Sequence, residues 1–153
     1  MTPEAMERDG AAYVDFLSKQ PHVAAGPMGA VGYCFSGALA LRTAAARSDR
    51  VRAAASFHGG GLYSDKPTSP HLVLPRVKAD LLFGHADQDR SMPAEAIANF
   101  DQALRAWGGR FTSEVYPHAG HGWTVPDQPV YDEAQAERAF GELTALFRKA
   151  LAA

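Results

Sequence analysis

Met28-Gly-Ala-Val-Gly-Tyr-Cys-Phe-Ser-Gly37 decides the architecture. Its first six residues, Met28 to Tyr33, form a short apolar run that reads as a buried strand. From about Ser36 to Arg47 the chain is mostly Ala, Leu and Arg, a set of strong helix formers. Strand and helix are joined by only a few residues, with Gly32, Ser36 and Gly37 around the join.

The same alternation continues on both sides. Upstream, Thr2 can cap a helix, Pro3 fits its first turn, and Glu4 complements the positive end of the dipole. Met6, Tyr13, Val14 and Leu17 share one face of that helix, and Pro21 stops it. Downstream, Val51 to Phe57 reads as a second strand, ended by His58-Gly-Gly-Gly61. A turn-rich loop holds Pro67, Pro70 and Pro75, and Ala79 to Gly84 is a third strand. A helix from near Pro93 carries Ile97, Phe100, Leu104 and Trp107, and Gly108-Gly109 ends it. Arg110 to Tyr116 is a fourth strand, and a last helix from about Tyr131 lines up Phe140, Leu143, Leu146, Phe147 and Leu151. The apolar stripe of each helix is expected to face the core. Strands alternating with helices imply an α/β fold, mainly parallel, with about four strands flanked by helices.

The 153 residues suit one domain, and a chain of this length buries roughly 68–70% of its unfolded surface. Fifteen basic and seventeen acidic side chains leave a net charge of −2, without the basic stripe that nucleic-acid binding needs. No apolar run approaches the roughly 20 residues of a membrane span, and the polar start lacks a secretory signal. Cys34 is the single cysteine, so no internal disulfide forms and a reducing, cytoplasmic setting is expected.

Parallel sheets place ligand sites at the carboxyl ends of their strands. Cys34 follows the first strand, Asp89 the third and His121 the fourth, in the order nucleophile, acid, histidine used by α/β-hydrolases. In Gly32-Tyr-Cys-Phe-Ser-Gly37 a sharp turn would lift Cys34 above the sheet as a nucleophile. The amide of Phe35 would face a substrate oxygen, and the positive helix end would lower the thiol pKa. The plain alternative for a lone cysteine is a buried structural role. Tyr116-Pro-His-Ala-Gly-His-Gly-Trp123 offers two histidines, His118 and His121. Phe83-Gly-His-Ala-Asp-Gln-Asp-Arg-Ser-Met-Pro93 offers two acids, Asp87 and Asp89. One acid would orient the histidine, and the other is left for a turn. The His118/His121 pair lacks the third ligand of a catalytic zinc site, and no metal or other cofactor is expected.

Gly-Tyr-Cys-Phe-Ser-Gly, Asp-Arg-Ser-Met-Pro and His-Gly-Trp together resemble the dienelactone hydrolase family of α/β-hydrolases. The resemblance runs from about Met28 to the C-terminus. It implies a cysteine nucleophile, matching Cys34. It selects Asp89, four residues before Pro93, and His121, followed by glycine and an aromatic. It implies hydrolysis of a small-molecule ester or lactone through a Cys-His-Asp triad and a thioester. Tyr33, Phe57 and Trp123 are candidate pocket walls, with ordinary core packing the favoured alternative for each. Ser36 departs from it, standing where many members have glycine.

The resemblance also implies a longer protein, with strands before Met28 that supply a second oxyanion amide. Residues 1–153 are therefore expected to form a single α/β-hydrolase-type domain without the family's N-terminal strands. The first strand would then lie unpaired at an edge, which natural proteins cover. A homodimer covering that edge is one expectation, and a noncatalytic binding or assembly subunit is the competing role.

Overall fold

The four expected strands form one parallel sheet in a computed structural model that describes residues 1–152. Its strands are β1 (Met28–Tyr33), β2 (Val51–Phe57), β3 (Asp80–Ala86) and β4 (Phe111–Tyr116), ordered β1-β2-β3-β4. Four helices accompany them: α1 (Pro3–Leu17), α2 (Ser36–Ala46), α3 (Ala94–Trp107) and α4 (Glu133–Leu151). A 3₁₀ helix over Pro70–Arg76 organises the proline-rich loop, an element the turn residues did not announce. No described helix is long and apolar enough to cross a membrane.

Because side chains alternate across a strand, the two sheet faces gather different residues. Ala54, Leu81 and Phe83 face α2, α3 and the 3₁₀ helix, meeting Leu41, Leu74, Phe100 and Leu104. Ala55, Phe57 and Leu82 face the other way, toward Tyr116, Trp123 and α4 through Ala139 and Leu143. The sheet is thus covered on both faces, which is why β2 and β3 read as continuous apolar runs.

α1 behaves differently from its stripe. Thr2 caps it as expected, accepting a hydrogen bond from Ala5 N at 3.2 Å. Only Val14 is buried, however, while Tyr13 and Leu17 stay exposed with Phe16. The helix packs mainly on α2 rather than on the sheet, so little of its apolar stripe is buried. Glu7 anchors it, bonding to the buried Arg42 of α2 and to Arg76.

β3 runs beyond its expected end at Gly84, taking in His85. The His85 ring is 1% exposed, stacked near Phe83 and edge-on to Phe100. Ser113 donates its hydroxyl to Asp101 (2.6 Å), so its oxygen accepts from His85 Nε2–H (3.0 Å). Among the described residues His85 Nδ1 meets no partner, and burial holds the ring neutral, its pKa pushed down to about 4.

β1 reaches α2 through a contact that only glycine permits. A Cβ on Gly32 would collide with the backbone of Ser36 and Gly37, which the turn holds in place. Gly32→Ala is therefore expected to cost on the order of 3 kcal/mol or more. A urea midpoint indistinguishable from wild type would contradict that contact. His85 sets a second expectation. Its folded pKa lies below its unfolded value, so its stabilisation is complete above about pH 6.5 and fades toward pH 4. The loss should be on the order of 3 kcal/mol. His85→Leu should flatten the fall in urea midpoint across that window, and an unchanged slope would refute the assignment.

Candidate active site

Each strand leaves the sheet at its carboxyl end through a residue with positive φ that is not glycine. Cys34 (53°) follows β1, His58 (41°) follows β2, Gln88 (54°) follows β3 and His118 (63°) follows β4. Such backbone costs energy and persists only where its surroundings hold it. The loops therefore turn back sharply over one rim of the sheet.

The turn at Cys34 is held from several sides. Its amide N–H lies 3.1 Å from Phe57 O and 3.1 Å from His58 Nδ1. Its carbonyl accepts from Gly37 N at 3.1 Å. Ser36 stands close behind, its Oγ accepting from Tyr33 N and donating to Tyr33 O, both at 2.8 Å. The serine that departs from the family pattern thus serves the turn. Cys34 itself is solvent-exposed, and no side chain caps the first turn of α2.

His121 meets Cys34 across this rim, Nε2 to Sγ at 3.0 Å. On its other side Nδ1 lies 2.6 Å from Asp89 Oδ2. Asp89 is almost fully buried, and its Oδ1 accepts from the amide and the hydroxyl of Ser91, both at 2.7 Å. The competing residues go elsewhere. Asp87 accepts from the His118 amide at 3.1 Å, pinning one loop to the next, and the His118 side chain is exposed.

These contacts set the charges. The hydrogen bond from His121 lowers the Cys34 pKa, and the Phe35 amide adds to it, against the opposing effect of burial. For His121, burial favours the neutral ring, but the bonds to Asp89 and Cys34 outweigh it and raise the pKa. Burial likewise pushes Asp89 up, and the bonds from His121 and Ser91 bring it below its ordinary value. A lowered thiol beside a raised imidazole favours a thiolate–imidazolium pair.

The expected pocket walls divide. Tyr33 is 40% exposed and borders an open, mainly apolar hollow of about 490 Å³ with Thr124, Val125, Tyr131 and Phe140. Phe57 and Trp123 offer no such surface. Trp123 is completely buried, stacked 4.8 Å from Tyr116 and edge-on to His58, and Phe57 lies beneath Tyr33. Both are core aromatics, because α4 closes over that face of the sheet.

The His58-Gly-Gly-Gly61 stretch, which by following a strand could line the site or simply turn, brings His58 to it, whereas Ser91 and Thr124 escaped the sequence reading. Ser91 left a faint signal, two residues after an aspartate, where side chains turn back on the backbone. Thr124, bonded to His58 Nε2 at 2.9 Å, left none. Among the described residues no group of three His, Cys, Asp or Glu side chains could hold a metal ion.

Known proteins of one family resemble this chain. A sequence profile described as the Dienelactone hydrolase family matches residues 1–151. An Escherichia coli (strain K12) protein provisionally named carboxymethylenebutenolidase is 29% identical over 121 residues, 77% of this chain and 44% of its own length. A Yersinia pestis protein of the same provisional name is 33% identical over 110 residues, 69% of this chain and 40% of its own length. The chain thus spans less than half the length of these curated relatives. Among solved structures, a dienelactone hydrolase from Anabaena variabilis is 26% identical with a TM-score of 0.69, covering 96% of this chain and 60% of that one. A provisionally named dienelactone hydrolase from Klebsiella pneumoniae shares the fold at TM-score 0.85 and 22% identity, covering 97% and 62%. With its α/β-hydrolase architecture and a profile match over nearly all its residues, the chain belongs to the dienelactone hydrolase family.

Proposed function

We propose that this protein hydrolyses small carboxylic esters or lactones through Cys34, His121 and Asp89, with a thioester intermediate. The observation that carries this reading is the unbroken chain of contacts from Sγ to Nε2 (3.0 Å) and from Nδ1 to Asp89 (2.6 Å). In the proposed course, His121 takes the Cys34 proton and the thiolate attacks the carbonyl carbon. The Phe35 amide stabilises the oxyanion that forms. Collapse breaks the ester C–O bond while His121 returns its proton to the leaving alkoxide, and the acyl group remains on sulfur. His121, steadied by Asp89, then deprotonates a water that attacks the thioester. Carboxylic acid and alcohol are released and the thiol is restored.

Thiolate leaves as readily as it attacks, so activated esters and enol lactones suit it better than amides. The provisional names of the Escherichia coli and Yersinia pestis relatives refer to a butenolide, a lactone. The hollow beside Tyr33 has room for a small acyl or alcohol portion. Substrate and water are the only reactants required. An exposed, readily ionised cysteine needs a reducing setting to remain a thiol, which is the ground for assigning the protein to the cytoplasm.

Incubation with p-nitrophenyl acetate should give a burst of nitrophenol and an acetyl adduct on Cys34 that turns over, as seen by intact mass. Cys34→Ala should lower the rate by about 10³-fold or more. Hydrolysis unchanged in that variant would remove the nucleophile, and a dead-end adduct or none would favour a noncatalytic binding role. The lowered Cys34 pKa gives an independent measurement. Alkylation by iodoacetamide should reach half its maximal rate below about pH 8.5, and His121→Ala should move that midpoint upward. Coincident profiles for the two proteins would contradict the pairing.

A further inference from the structure

We infer that His58 is a positioning residue for the nucleophile, a hydrogen-bond acceptor that holds the Cys34 amide in its left-handed turn. The inference rests on the reading of Cys34 as the nucleophile and adds a fourth side chain to that site.

His58 occupies a costly position. It is 2% exposed, follows β2 directly and holds a φ of 41°. Both ring nitrogens are engaged. Nδ1 lies 3.1 Å from the Cys34 amide nitrogen, and Nε2 lies 2.9 Å from Thr124 Oγ1. A backbone amide only donates, so Nδ1 is the acceptor, and the neutral ring carries its proton on Nε2 and donates to Thr124. The ring is wedged between Trp123, at 5.1 Å between centroids, and His121, at 5.2 Å, with Tyr33 at 5.9 Å. Burial, with the neighbouring His121 charge, drives the His58 pKa down to about 4, so the acceptor is present at neutral pH.

Its target is the peptide that decides the geometry of the nucleophile. Cys34 sits at φ 53°, and its N–H is shared between Phe57 O and His58 Nδ1. Orienting that amide fixes where Sγ stands relative to His121 and where the next N–H, that of Phe35, is aimed. His58 cannot act as the general base, because its Nδ1 is spent on the amide and its Nε2 on Thr124. It supports the reacting group without meeting the substrate.

Two substitutions separate the acceptor from the bulk of the ring. Asparagine tolerates positive φ and places Oδ1 where Nδ1 stands, whereas glutamine reaches only the Nε2 position. His58→Gln should lose about 10–10²-fold in kcat on p-nitrophenyl acetate with little change in KM. It should also move the midpoint of Cys34 alkylation upward. His58→Asn should recover most of both losses. Thermal melting establishes that each variant is folded. If His58→Gln does not fold, Thr124→Val, which frees Nε2 and leaves the ring in place, should shift kcat and the alkylation midpoint in the same direction by less. Equal losses in the asparagine and glutamine variants would overturn the inference. So would wild-type kinetics in His58→Gln or, where it is used, in Thr124→Val. An ordinary thiol profile with no acyl adduct in the wild-type protein would instead overturn the proposed function itself.

Discussion

The backbone of Cys34 stands in a conformation that a side chain disfavours, and the rim of the sheet is organised around keeping it there. A residue at φ 53° would relax if its amide and its neighbours were free. Phe57 and His58 hold the amide, Gly37 holds the carbonyl, and Gly32 lets β1 and α2 close to a distance that no Cβ would allow. Each of these contacts comes from a strand end or from the helix just after it. The sheet's register is therefore transmitted to the sulfur, with Tyr33 paired beside Phe57 and Gly32 beside Ser56.

Electrostatics completes what the backbone begins. Asp89 is buried among polar donors rather than in a purely apolar pocket, so it stays ionised and makes a protonated His121 favourable. That imidazolium in turn favours thiolate on Cys34. His58, only 5.2 Å from His121, would add a competing positive charge if it titrated near neutrality, and its burial prevents this. Two histidines side by side thus differ in role because one contacts a carboxylate and the other an amide.

The strands and the order of reactive residues were legible in the sequence because both depend on local chemistry. Short segments bounded by turns and read as strands became β1, β2 and β4, and Cys34, Asp89 and His121 each followed a strand as read. The choice of Asp89 over Asp87 came from the family likeness; Asp89 lies against His121, and Asp87 accepts from the His118 amide. What escaped the reading depends on distant contacts. Trp123 was read as either a pocket wall or, more in keeping with a tryptophan, a core aromatic, and the contact that buries it comes from α4, another part of the chain. The apolar stripe of α1 looked like core, yet that helix rests mainly on α2 and leaves Tyr13 outside. The third strand was read as ending at Gly84, because nothing local revealed that Ser113 would accept a hydrogen bond from His85.

The hydroxyl of Ser36 has an effect beyond its turn. Met28 and Cys34 both send their amides toward β2 and the residue before it, so alternation directs those of Gly29, Val31 and Tyr33 to the open side of β1. Ser36 occupies both backbone groups of Tyr33 and leaves only Gly29 and Val31 available there. Any polypeptide that extends the sheet on that side must part from it before Tyr33.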